Sequence, residues 1–175
     1  GNSTNAVDID GGVSIGASGT LEAPTASFTI GGDFTNAGTF TGDTVSGTVI
    51  LDGTNQTITP TSATTFTRLS KTESTNDSTD STLTLAGDIT VSHALTLDGL
   101  DTDDRLNIVS SVGATARTIS FTGASTFTGD FLDIIDNTAS DTSSTITLPI
   151  NPANSVNSGN TSGWFNAISG LLYQA

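Results

Sequence analysis

At 175 residues the chain has the length of one ordinary domain, and Ser, Thr, Gly, Asn and Asp fill most of it beside 34% hydrophobic residues. Eighteen acidic side chains face four basic ones (Arg68, Lys71, Arg105, Arg117), and the net charge of −14 sets the chain against nucleic acid and anionic lipid surfaces. Cysteine is absent, which excludes disulfides and thiolate metal sites, and no apolar run is long enough to insert in a bilayer.

From the first residues a motif recurs in which two apolar residues alternate ahead of a glycine. It reads Val7-Asp8-Ile9-Asp10-Gly11, then Phe28-Thr29-Ile30-Gly31-Gly32, then Val49-Ile50-Leu51-Asp52-Gly53, at steps of 21 residues. Alternation puts both apolar side chains on one strand face, and glycine is expected to supply the positive φ or bulge that turns the corner. A unit this short cannot bury its face alone, so successive units must stack. The expectation is an all-β, single-stranded parallel β-helix (β-solenoid) over residues 1–150, with rungs of about 21 residues. Val7, Phe28 and Val49, and likewise Ile9, Ile30 and Leu51, should then form neighbouring layers about 4.8 Å apart. The alternative is a β-sandwich, which would set these motifs on opposite sheets.

The motif returns at Leu83–Gly87, Leu95–Gly99 and Ile119–Gly123, where the 12-residue step marks a move to another face of the same coil. Between these lie expected strands at Thr39–Thr41, Gln56–Ile58, Thr65–Thr67, Ile89–Val91, Leu106–Val109, Phe131–Ile135 and Thr145–Leu148. Lys71–Ser81 has no apolar residue and reads as a solvated loop, and Asn137–Ser144 reads as a second polar excursion.

Residues 151–175 differ in character: Pro152 and the turn-rich Asn154–Gly163 lead to Trp164, Phe165, Ile168, Leu171, Leu172 and Tyr173, which include the only Trp and Tyr. This segment is expected to cap the solenoid or to dock on a neighbour. Because the first rung starts at Val7 with nothing bulky before it, head-to-tail contact is expected between Val7 and Ile9 of one copy and this apolar tail of another. Flanking domains of a longer chain are the competing cover; the start Gly1-Asn2-Ser3-Thr4 reads as processed or excised.

The phrases GGDFTNAGTFTG (31–42) and LAGDITVSHALTLDG (85–99), with the closing NSGNTSGWF (157–165), resemble the low-complexity solenoid repeats of large prokaryotic surface proteins and adhesins. The resemblance implies an extracellular, cell-surface location and a structural subunit of a surface filament or scaffold. The second reading is an adhesin module that binds glycans or surfaces. It carries no catalytic residues to transfer.

The chain is therefore read as a non-enzyme. His93 lacks the second His or Cys that a zinc site or triad needs. Asp98, Asp101, Asp103 and Asp104 crowd one turn and are candidate ligands for weak, dispensable Ca2+, the one cofactor considered, although their spacing fits no EF-hand. The Asn-Thr-Asp, Gly-His-Gly and Arg-Ile-Lys signatures of pectin-degrading β-helices do not occur. Sequons stand at Asn2, Asn55, Asn76 and Asn160. Thr-x-Thr recurs at starts separated by 18, 8, 17, 44 and 19 residues, too irregular to predict one in-phase threonine face.

Overall fold

The computed structural model describes residues 3–42 and 46–166, which are all-β, with no helix. The strands follow one another in a repeating order. β1 (Val7–Ile9), β2 (Val13–Ile15) and β3 (Thr20–Glu22) are followed by β4 (Phe28–Ile30), β5 (Phe34–Asn36) and β6 (Thr39–Thr41), then by β7 (Val49–Leu51), β8 (Asn55–Pro60) and β9 (Thr65–Thr72). The C-terminal half holds β10 (Ser81–Leu85), β11 (Ile89–Asp98), β12 (Leu106–Ser110), β13 (Arg117–Phe121), β14 (Thr126–Asp130), β15 (Leu132–Ile135), β16 (Asn137–Asp141) and β17 (Val156–Gly159).

Every ladder among the described residues is parallel. One sheet runs β1-β4-β7-β9-β11 and forks there, the second half of β11 pairing with β14 and the first half with β13, which pairs with β16. A second sheet runs β2-β5-β8-β10-β12-β15-β17, and β3 pairs with β6. The fork sits at a register shift between Val91 and Ala94, so β11 bends across Ser92 and His93 and serves two ladders.

The three 21-residue motifs stack as their spacing predicts: Val7 pairs with Phe28 and Phe28 with Val49, while Ile9 pairs with Ile30 and Ile30 with Leu51. They share one sheet, not the two faces of a sandwich. The columns then continue from Val49 to Leu69, Leu95 and Phe127, and from Leu51 to Lys71, Leu97 and Gly129, although the sequence steps change to 20, 26 and 32 residues. Residues 73–80 and 99–105, inserted at the corner between the first and second sheets, absorb much of that difference.

Inward positions form one continuous core in which Ile30, Phe34, Ile58, Phe66, Leu83, Val91, Ile108, Phe121 and Ile134 are fully buried. Phe34, Phe40 and Phe66 meet with ring centroids 5.1–5.4 Å apart, which ties the short β3–β6 ladder to the start of β9. Outward positions carry hydroxyls. Thr65, Thr90, Ser120 and Ser140 stand in register on four adjacent strands, a short hydroxyl row that no sequence period marks.

Four expectations are corrected. Lys71 and Ser81 are buried strand residues, so the loop is confined to 73–80. Asn137–Asp141 is a strand, since its outward Thr138 and Ser140 alternate with buried Asn137 and Ala139. Thr145–Leu148 forms no strand, whereas Val156–Gly159, inside the turn-rich run, does. The motif glycines also act differently: only Gly123 among them has positive φ. What most of them provide is room. A Cβ on Gly53 would lie 2.1 Å from the Gly31 carbonyl oxygen, and one on Gly99 2.3 Å from that of Phe131, because stacked corners touch backbone to backbone.

Gly53→Ala should therefore lower stability by about 2 kcal/mol or more in urea titration, while Gly11→Ala, with nothing within 4 Å of the added carbon, should stay within about 0.5 kcal/mol of the parent.

Candidate functional site

The chemistry-bearing residues fall in three places: the acidic corner, one polar pair inside the core, and the two ends of the stack.

At the acidic corner two of the four expected ligands, Asp101 and Asp104, shape turns. Asp101 Oδ1 accepts the backbone N–H groups of Asp103 (2.8 Å) and Asp104 (3.1 Å). Asp104 is buried, and its Oδ1 accepts the N–H groups of Thr79 (2.8 Å) and Asp77 (3.3 Å) from the loop on the adjacent turn. Arg105 N–H donates to Asp80 Oδ1 at 2.7 Å, so the two loops are stitched by carboxylate–backbone bonds. Asp103 is exposed, and Asp98 ends β11 in register with Asp130. Partial burial and the neighbouring Asp130 charge both push the Asp98 pKa up. Among the described residues no group of three or more His, Cys, Asp or Glu side chains is placed to hold a metal ion.

Inside the core, Lys71 occupies a column otherwise filled by Ile9, Ile30, Leu51 and Leu97 and is 1% exposed. Its Nζ donates to the Gly53 carbonyl and, at 3.1 Å, to Gln56 Oε1. Gln56 Nε2 in turn donates to the carbonyls of Ile30 (2.8 Å) and Gly32 (2.7 Å). The pair thus satisfies three corner carbonyls from within. Burial lowers the Lys71 pKa to about 8, with Glu73 and Asp52 opposing the shift. Charge patterning along the chain hides this residue, because a lysine followed by eleven polar residues has the composition of a loop.

At the N-terminal end, Val7, Ile9, Val13 and Leu21 are only partly buried, and β1, β2 and β3 are the edge strands of their sheets. At the C-terminal end, where a cap or a docking segment is expected, the described residues fold back on the chain's own core. Trp164 is fully buried: its Nε1 donates to Asn137 Oδ1 at 2.8 Å, and its ring meets Phe127 edge-on at 5.6 Å. It fills the chain's own core and offers no anchor to a neighbour. Phe165 packs against the same core, while Ile168, Leu171, Leu172 and Tyr173 lie outside the described residues.

His93 is exposed at the β11 bend, and its carbonyl accepts the Thr126 hydroxyl. Of the sequon asparagines, Asn55 opens β8, Asn76 donates to Asp101 at 3.4 Å, Asn160 donates to Asp136 at 2.6 Å, and Asn2 lies outside the described residues.

The chain matches no protein-family model, no curated protein and no solved structure.

Two outcomes follow. The folded-state pKa of Lys71 lies below its unfolded value of 10.5, so between pH 8 and 10.5 the unfolded chain binds more protons and stability rises with pH. Urea titrations across that window should show a gain of about 3 kcal/mol, and Lys71→Met should flatten it. For the acidic corner, EDTA should leave the thermal midpoint unchanged and millimolar Ca2+ should raise it only slightly; unfolding by EDTA at ordinary temperature would make the metal structural.

Proposed function

We propose that the chain is a three-sided parallel β-solenoid that works as a rod, a structural subunit of an extracellular surface filament or scaffold whose copies stack head to tail. The observation that supports this reading is the common direction of the ladders. Each starts at an edge strand of the first turn, and the second sheet ends at β17. The starting edges combine unpaired backbone with half-buried Val7, Ile9, Val13 and Leu21, a combination that templates further pairing.

The contact then lies between these residues on one copy and the Val156–Gly159 edge on the next, where Val156 is 40% exposed. Two unlike surfaces meet, so the contact is heterologous and propagates instead of closing. Trp164 has no part in it. A net charge of −14 keeps the flanks of neighbouring rods apart and leaves the ends to associate. A flanking domain of a longer polypeptide would use the same edge.

Electron microscopy with light scattering over a concentration series tests the proposal. Rods that lengthen with concentration are expected for the whole chain, and single-copy particles for Ile9→Lys/Val13→Lys with unchanged circular dichroism. Single-copy particles of the parent chain at every concentration would reject self-stacking.

A further inference from the structure

The first sheet is interrupted near its C-terminal end. Among the described residues β14 has β11 as its one strand neighbour, and beyond it only the bridge from Asp130 to Ala153 continues the ladder. Where a further strand would lie, the irregular segment 145–150 passes instead and leaves an open groove of about 400 Å³ lined by Ser125, Thr126, Phe127, Thr145, Thr147 and two isoleucines, Ile146 and Ile150.

Its walls are fixed. The buried Ser125 hydroxyl donates to the carbonyls of Val91 (3.0 Å) and Thr122, and the Thr145 hydroxyl donates to the Ser125 carbonyl. The N–H groups of Thr145 and Ile146 donate to Ser143 Oγ, whose own N–H is held by Asp141. Phe127 is set between Phe121 and Trp164, edge-on to both, at 6.4 and 5.6 Å.

The lining chemistry is equally specific. In a chain with 18 acidic residues, none of the described residues that line the groove is charged. One aromatic ring and two isoleucines supply apolar surface, and the exposed Thr126, Thr145 and Thr147 supply hydroxyls at the rim. The volume lies in the lower part of the small-molecule range of roughly 300–1,000 Å³, where apolar walls give contact and a few polar groups fix orientation. Nucleotides and acidic sugars would find no cation here, and a purely apolar ligand would leave the rim hydroxyls against carbon.

We propose that this groove binds a neutral saccharide, one sugar ring lying on Phe127 and flanked by Ile146 and Ile150, with its hydroxyls exchanging hydrogen bonds with Thr126, Thr145 and Thr147. The lining comes from one copy, so binding does not require a neighbour.

Trp164 is the only tryptophan and touches Phe127, so its fluorescence reports on the groove. The whole chain is titrated with neutral gluco-oligosaccharides and chito-oligosaccharides, with oligogalacturonate and with an extended apolar peptide, and calorimetry checks each binding curve. A saturable change with a neutral oligosaccharide is expected, weakened at least tenfold by Phe127→Leu and by Thr147→Glu, both with unchanged circular dichroism. Failure of every neutral oligosaccharide to saturate, binding that both variants leave intact, or preference for oligogalacturonate would overturn the proposal. So would preference for the peptide, which would mark the groove as a strand-addition site on β14.

Discussion

Parallel hydrogen bonding between strands of successive repeats is the constraint from which the other features follow. A parallel ladder fixes register residue by residue, so each inward side chain lies directly over its counterpart one turn away. Burial is then a property of columns, and a column is as sound as its worst member. The run from Val7 through Phe28, Val49, Leu69 and Leu95 to Phe127 contains nothing but apolar residues, and from Phe28 to Leu95 every member is buried. Where a column breaks chemical rule, as at Lys71, the surroundings supply acceptors: the ammonium group meets a corner carbonyl and Gln56, and Gln56 meets two more carbonyls.

Corners are the second consequence. Stacked corners bring backbone against backbone, which explains glycine at positions 53 and 99 without any need for left-handed φ. Asn and Asp take some of the left-handed positions: Asp136 and Asn160 both have φ near 50° and bond to each other, and Asp136 also accepts the Ala114 N–H. The many Asn and Asp residues of the C-terminal half thus perform backbone hydrogen-bonding work at turns.

The N-terminal half is legible in sequence because one motif repeats at two equal steps of 21 residues, so arithmetic on Val7, Phe28 and Val49 recovers the stacking. Beyond Leu51 the same columns persist, but loops of unequal length and the forked β11 hide them from any fixed period. Composition marks Lys71 and Asn137 as solvated because it reports polarity and not direction, and each is buried by virtue of its strand phase. Sequence leaves Trp164 open between a cap and an external anchor, and Asn137 and Phe127, both remote in sequence, give it an internal seat. The groove beside β14 had no sequence signal, since it exists only because Thr145–Leu148, with a strand's composition, does not pair.

Segments 73–80 and 99–105 leave the stack at the same corner on consecutive turns, and they bond to each other through Asp80, Asp101 and Asp104. The strands on either side of them, Thr65–Thr72 with Ser81–Leu85 and Ile89–Asp98 with Leu106–Ser110, keep their register regardless. Length at this corner is therefore uncoupled from packing. Genetic insertions can accumulate there without reaching the interior, and a foreign peptide inserted between Thr75 and Asn76, clear of the Asp77 and Thr79 N–H groups that Asp104 holds, would be displayed at the surface.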